Sequence, residues 1–265
     1  MKIGFIGSGN MGSTILGGVV SAGIVDASDV IVTDTDTKKA AAMAEKYNVK
    51  QGISNELVAG AADILFLCVK PQVLYSLIDQ IKESVRKETV IVSVVAGQSI
   101  ERMIDAFGIP GLKIVRVMPN TPALVGEGMA AVAPNENVSE EEKAEVLEIF
   151  NKLGRAEIIS ESLMDIVTAV SGSSPAFVFM FIEAMADAAV RGGMPRDKAY
   201  TFAAQSVLGS AKMVLESGKH PAELKDMVCS PAGTTIDAVA VLEEEGMRSA
   251  VIKAVKACEE KSKRL

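Results

Sequence analysis

Over its first ~160 residues the chain alternates short apolar runs with stretches of helical period. The strand-like runs are KIGFIG, DVIVTD, ILFLCV, TVIVSVV, KIVRVMP, MAAVAP and AEIIS. Several are apolar at every position rather than at alternate ones. That pattern fits parallel strands covered by helices on both faces. Between them lie NMGSTILGGVVSAG and DTKKAAAMAEKY, which read as helices, and Ser139 with Glu142 forms a capping-box signal opening a helix that ends at Gly154. The alternation predicts a doubly wound α/β sheet. After Ser160 the strand signals stop, and helices are predicted over 161–170, 175–191, 196–216, 221–228, 235–245 and 247–262. The expected division is therefore residues 1–160 as an α/β domain and 161–265 as a helical one.

The 175–191 helix changes this picture. Its charges, Glu183, Asp187 and Arg191, form one narrow stripe, and the rest is apolar. Such a helix is covered nearly all round. The helical segments around it are too few to do that alone, so a subunit interface is expected. No apolar run reaches the ~20 residues of a membrane span, and the N-terminus runs straight into a strand pattern without a signal-peptide cleavage site. With a net charge of -7 and no basic block, nucleic acid is not an expected partner. A soluble, cytoplasmic protein is expected.

Candidate chemistry is narrow. Cys68, Cys229 and Cys258 show neither metal spacing nor a disulfide framework. The single histidine, His220, precedes a proline at a predicted helix start. No metal and no histidine relay are expected. Gly7, Gly9 and Gly12 form G-x-G-x-x-G directly after the first strand signal and at the start of a helix. In that context the motif marks a Rossmann dinucleotide site. The first glycine makes the turn, the second admits the pyrophosphate, and the third packs helix on strand. Asp34 stands at the end of the second strand, where a carboxylate accepts from a ribose 2′-hydroxyl and repels a 2′-phosphate. Thr33, Thr35, Thr37, Lys38 and Lys39 offer the opposite chemistry, and turn-capping is a third role for Asp34. The choice between NAD and NADP stays open. Val69-Lys70-Pro71-Gln72 and Val95-Ala96-Gly97 fall where later strands deliver loops to the same crevice. In the helical part, Ser171-Gly172-Ser173-Ser174-Pro175 and Ser230-Pro231-Ala232-Gly233-Thr234-Thr235 each open a helix rich in hydroxyls and free N–H groups. Such starts can hold a carboxylate without arginine. Ser174 is expected as the cap of the first.

Together these segments, with Val117-Met118-Pro119-Asn120-Thr121-Pro122, Val170 through Ala176 and the run Leu224–Gly246, resemble the pyrroline-5-carboxylate reductase family over essentially the whole chain. The resemblance implies a Rossmann domain followed by an all-helical domain that interlocks with a partner, in dimers that some members assemble into decamers. It implies reduction of 1-pyrroline-5-carboxylate to L-proline with NADPH or NADH, the last step of proline biosynthesis. By position, Ser8, Gly9, Asn10, Met11 and Asn55 match nucleotide contacts, as do Val69, Lys70, Pro71 and Ala96. Ser230, Gly233 and Thr234 match a substrate carboxylate cradle, and Thr235 the hydroxyl that bonds the ring nitrogen. Glu161 matches a further substrate-side carboxylate. Two positions depart from many members: Ala232 replaces a second glycine, and Asp34 replaces serine, asparagine or arginine. A 3-hydroxyacid dehydrogenase of similar architecture would need a lysine early in the helical part, and none lies between Glu161 and Met185. A non-catalytic dinucleotide sensor would need no hydroxyl-rich second pocket.

Overall fold

A computed structural model describes residues 1–264. Packing divides the chain into two compact units, one of residues 1–172 with 258–265 and one of residues 173–257. The first is built on a sheet of eight strands: β1 (Ile3–Ile6), β2 (Val30–Thr33), β3 (Lys50–Gln51), β4 (Ile64–Leu67), β5 (Val90–Ser93), β6 (Lys113–Met118), β7 (Gly128–Pro134) and β8 (Gly154–Ile158). Their order is β3-β2-β1-β4-β5-β6-β7-β8. All neighbours are parallel except β6 and β7, which run antiparallel. The chain crosses back at β1, so β1 and β4 flank the point where strand order reverses. In open α/β sheets the ligand crevice opens there, beyond the carboxyl ends of the strands.

The all-apolar strands are explained by two cores. Phe5 and Phe66 face one side, with Ile15, Leu16 and Val19 of the Asn10–Ser21 helix and Phe150 of the Glu140–Asn151 helix. Ile6, Leu65 and Leu67 face the other, against Val58, Leu74, Ile78, Ile81 and Met103. Alternate residues of one strand thus feed opposite cores, and neither face can be polar. Helix starts follow from caps written in the sequence. Asp36 accepts from the Lys38 and Lys39 amides, and Ser139 and Glu142 close the expected capping box. His220 caps the Pro221–Val228 helix through Nδ1, which accepts from the Ala222 amide at 3.2 Å.

Residues 161–172 do not behave as one regular helix. They form a 3₁₀ turn (Glu161–Leu163), a short α-turn (Met164–Val167) and a π-turn (Thr168–Gly172). Thr168 Oγ1 donates to the Met164 carbonyl, and Asn120 Nδ2 donates to the Ser171 carbonyl. Side-chain bonds of this kind compete with the regular ladder. The segment also packs on the sheet: Met164 is fully buried among Met118, Ala131 and Ala133. Division by packing therefore falls after Gly172, not at 160. The chain end returns to the first unit, where the buried Ser262 donates to Asp165 at 2.7 Å.

The second unit holds helices Ser174–Arg191, Arg196–Ser217, Pro221–Val228, Thr234–Glu244 and most of Met247–Ser262. The first two pack through Ala186, Ala199 and Ala203, small residues that permit close approach. Of the Ser174–Arg191 helix, only Ala186 is buried within the chain. Val178, Phe179, Met180 and Phe181 are exposed, Met180 at 69%.

Phe66 stacks on Phe5 at 4.7 Å between ring centroids and meets Phe150 at 6.3 Å. Phe66→Ala should cost about 3–5 kcal/mol of stability, the range for emptying a packed aromatic site. Urea unfolding followed by circular dichroism checks this; a loss under ~1 kcal/mol would show a core able to collapse into the gap.

Candidate active site

The crevice begins where β1 ends. Gly7 has φ +104, its amide donates to Thr33 O at 2.8 Å, and a Cβ there would lie 2.4 Å from the Cys68 carbonyl. A Cβ on Gly12 would lie 2.3 Å from the Gly7 carbonyl. Both glycines are therefore required by the protein's own packing. Gly9 is different: it is exposed, has ordinary extended backbone, and a Cβ would meet nothing within 4 Å. Its bareness serves nothing inside the chain and fits the close approach of a ligand. Gly9 also begins the Asn10–Ser21 helix without a side-chain cap. The N–H groups of that first turn and the positive end of the helix dipole face outward, as a pyrophosphate needs.

A cleft of about 470 Å³ adjoins this turn, lined by Gly7, Asp34, Asn55 and Val69 among the expected residues. Ile6 and Thr35 also line it, and Val73, Ser76, Leu77 and Gln80 complete its wall. The last four were not expected from the sequence, although their spacing marks one face of a helix. Asn55 opens the Asn55–Ala61 helix and donates to Gln80 Oε1 at 2.9 Å. Lys70 and Pro71 begin a 3₁₀ turn just past β4, and Ala96 lies just past β5, packed against Met118, Ala131, Ala133 and Met164.

Asp34 is more engaged than its position at a strand end suggests. Oδ2 accepts from the Ser8 amide at 2.7 Å and the Ser8 hydroxyl at 2.8 Å, while Oδ1 accepts from the Asp36 amide at 2.9 Å. Partial burial works to raise its pKa, but the Ser8 and Asp36 amides and the Ser8 and Thr35 hydroxyls outweigh it, so the carboxyl titrates below its ordinary value. The shift is downward, so this support of the glycine turn is complete above the ordinary carboxylate range. It is lost as pH falls through the lowered value. Asp34 thus caps its own turn and braces the first residue of the glycine loop.

The other expected residues separate into two groups. Glu161 belongs to the first unit, where its Oε1 accepts from Arg116 Nη1 at 3.0 Å and from the Ile100 amide at 2.8 Å. Ser174, Ser230, Gly233, Thr234 and Thr235 lie in the second unit. There Ser173, not Ser174, is the residue before the helix, and it makes no side-chain cap to the first turn. Gly233 donates to Ser230 O at 3.1 Å and begins the Thr234–Glu244 helix uncapped. A Cβ on Gly233 would meet Ser230 Oγ at 2.3 Å, so only glycine lets that hydroxyl fold over the helix start. Ala232 holds φ +54 in the turn between them. One hydroxyl and the first N–H groups of a helix are thereby collected on six residues, with Thr235 half-buried beside them.

Comparison with known proteins agrees with this layout. A family model described as pyrroline-5-carboxylate reductase dimerisation matches residues 161–265, and one described as coenzyme F420-dependent NADP oxidoreductase matches residues 2–97. The pyrroline-5-carboxylate reductase of Escherichia coli (strain K12) is 53% identical over 264 residues, spanning 100% of this chain and 98% of that one. The chain belongs to the pyrroline-5-carboxylate reductase family. Among solved structures, the pyrroline-5-carboxylate reductase of Coxiella burnetii superposes with a TM-score of 0.92 at 33% identity, covering 99% of this chain and 97% of that one. The Plasmodium falciparum pyrroline carboxylate reductase, solved with NADP bound, superposes with a TM-score of 0.88 at 35% identity, covering 100% and 97%. The reductase family thus spans both units, and its dimerisation segment begins at Glu161, ahead of the break in packing at Gly172.

Asp34→Ser should shift the ratio of kcat/KM values toward NADPH by roughly tenfold, if ~1.4 kcal/mol of repulsion with a 2′-phosphate is relieved. Because the same carboxylate braces Ser8, both nucleotides should also bind somewhat more weakly. Steady-state kinetics with each nucleotide checks this; an unchanged ratio would remove Asp34 from the reading of the ribose.

Proposed function

We propose that the chain reduces 1-pyrroline-5-carboxylate to L-proline, taking hydride from NADPH or NADH held at the Gly7–Gly12 turn. The carrying observation is full-length identity of 53% to a pyrroline-5-carboxylate reductase, joined to a crevice whose Gly9 is bare for no internal reason. The nucleotide supplies the hydride. The protein's part is binding and orientation. Gly9 and the helix start behind it take the pyrophosphate. Ser230 and the N–H groups at Thr234 and Thr235 take the substrate carboxylate. The Thr235 hydroxyl bonds the ring nitrogen and sets which face of the imine is presented.

Little acid–base machinery is needed, because an imine nitrogen can be protonated before hydride arrives, so proximity carries most of the effect. The side chains agree with this. His220 is occupied as a helix cap. Burial pushes the Cys68 thiol up to about 12, which leaves it an inert packing residue. Among the described residues, no group of three His, Cys, Asp or Glu side chains could hold a metal ion. A metal-independent reaction is the reading these residues support; the cytoplasm as its place and the end of a proline-forming route as its role are part of the same proposal.

The second unit supports an oligomer. Contrary to the expectation from the sequence, the helical stretch Glu161–Arg191, which begins in the first unit and continues into the second, is long and apolar enough by length and composition to cross a membrane, with 11% of its most apolar window buried within the chain. The match to a reductase dimerisation family supports a second copy as the cover of that surface. An apolar groove of about 500 Å³ between the last two helices, lined by Val239, Leu242, Met247, Val251 and Ile252, is a second apolar feature of this unit. We read the assembly as a homodimer in which the helical units of two chains interlock, with a decamer of five such dimers as the alternative. A charge at Phe181 should leave the protein aggregated or scarce, and a stable, active monomer of the unmutated chain in sedimentation would contradict the dimer.

The purified protein should oxidise NADPH and NADH when given pyrroline-5-carboxylate, and chelator should leave the rate unchanged. No oxidation of either nucleotide would overturn the assignment. Thr235→Ala should lower kcat/KM by roughly 10²-fold, the low end for a positioned proton-handling group. Nucleotide affinity should stay within about twofold, since a lost neutral bond is worth about 1 kcal/mol only where it is made. Unchanged turnover would remove Thr235 from the mechanism.

A further inference from the structure

The loop after β5, Val94 to Ser99, stands at the carboxyl end of the sheet one strand from β4, on the edge where Gly7 and Val69 open the crevice. It carries Ala96 and the left-handed Gly97, with φ +73. A loop of this kind, with a glycine in its middle, has no stiffness of its own. Here it is tied at two places by side chains from other elements. On one side, Tyr75 donates its hydroxyl to Gln98 Oε1 at 2.6 Å, and Gln98 is buried although polar. On the other, the Ile100 amide donates to Glu161 Oε1 at 2.8 Å. That same oxygen accepts from Arg116 Nη1 at 3.0 Å. The Arg116 side chain is only 8% exposed, and its Nε is buried with no partner.

These contacts fix what Glu161 can do. A guanidinium buried to this degree holds its counter-ion in place, because moving the carboxylate away would leave an uncompensated charge. The carboxylate in turn occupies the first N–H of the Ile100–Phe107 helix, where a negative charge is also favoured by the helix dipole. The Arg116–Glu161 pair therefore joins β6, the start of that helix and the 161–163 turn into one point. Tyr75 links the loop to the Leu74–Ile81 helix, whose Leu77 and Gln80 line the nucleotide cleft.

We infer that Tyr75 and Glu161, the latter locked by Arg116, are positioning residues that clamp the Ala96–Ser99 loop and so set where the reactive end of the nucleotide lies. The inference rests on the proposed reductase reading for its catalytic consequence, but not for its structural one. The glycine turn holds the pyrophosphate independently of the clamp. Loosening the loop should therefore lower kcat while leaving nucleotide affinity nearly unchanged.

Three variants test this: Glu161→Ala, Glu161→Gln, which keeps an acceptor oxygen for the Ile100 amide, and Tyr75→Phe, which removes one part-buried hydroxyl and no charge. Amide hydrogen exchange across 96–100 is measured in the nucleotide-free protein, with kcat, KM and NADPH affinity beside it. Exchange at Ile100 should rise by roughly tenfold in Glu161→Ala, as for one lost hydrogen bond, with recovery in Glu161→Gln. Tyr75→Phe should speed exchange at Ala96–Ser99, with no more than the small fall in melting temperature that one lost hydrogen bond brings. Both Glu161→Ala and Tyr75→Phe should cut kcat by several-fold or more, with NADPH affinity within about twofold of wild type. Wild-type exchange and kcat in Tyr75→Phe would overturn the clamp, even if Glu161→Ala fails to fold. A rise confined to KM for pyrroline-5-carboxylate in Glu161→Ala, with exchange unchanged, would also overturn it and make Glu161 a substrate ligand. If the unmutated protein does not reduce pyrroline-5-carboxylate, the reductase reading fails, while the exchange pattern still decides the clamp.

Discussion

The nucleotide half depends on one close approach of backbone to backbone. Where β1 leaves the sheet, Gly7 passes so near the Cys68 carbonyl that a Cβ would sit 2.4 Å from it, and Gly12 passes equally near the Gly7 carbonyl. Those two contacts let the Asn10–Ser21 helix start directly over the end of β1. The helix N-terminus then points into the crevice between β1 and β4. Asp34 braces the same turn from β2 through Ser8. A side chain at either glycine would push helix from strand and close the site before any ligand was involved. Gly9, between them, is under no such demand, which separates what the fold requires from what the ligand requires.

The second unit is governed by the opposite condition, a surface with too little to cover it. The Ser174–Arg191 helix carries its charges on one stripe and exposes Phe179, Met180 and Phe181. Exposed apolar area of that extent is the mark of an interaction surface rather than of a finished monomer. The sequence pattern already carried this: a helix apolar nearly all round needs neighbours that a short helical domain cannot supply.

Elements with a strong local signal were legible, and those set by distant partners were not. All seven strand-like runs form strands; burial on both faces keeps β1 and β4 free of polar side chains, whereas β8 is largely exposed and carries Arg155 and Glu157. The helices from 174 onward lie within a residue or so of their expected bounds, because caps, glycines and prolines write those ends locally. The two-residue β3 was missed, being too short and too exposed for any periodicity. Residues 161–172 were expected as plain helix up to 170, but Asn120, fifty-one positions away, takes the Ser171 carbonyl and packing on β6 and β7 does the rest. At the site, the glycine motif announces itself, whereas the Asp34–Ser8 bonds, the Tyr75–Gln98 bond and the Arg116–Glu161 pair join residues 23 to 45 apart in sequence. No pattern of spacing encodes such pairs. The face formed by Val73, Ser76, Leu77 and Gln80 is an intermediate case, visible as a helical stripe once the cleft is known.

The central claim is that the crevice at the end of β1 is shaped for a dinucleotide pyrophosphate, and Gly9→Ala tests it most directly. Gly9 has φ -67 and ψ -177, a conformation alanine adopts freely, and its Cβ would meet nothing within 4 Å. The melting temperature of the nucleotide-free variant should therefore match the wild type. A methyl group there would stand in the path of the phosphates, so NADPH and NADH affinity, measured by calorimetric titration, should fall by tenfold or more, at least ~1.4 kcal/mol. Unchanged affinity in a fully folded variant would contradict the account, because the one glycine of the Gly7–Gly12 turn that the fold does not need would then have no ligand to explain it.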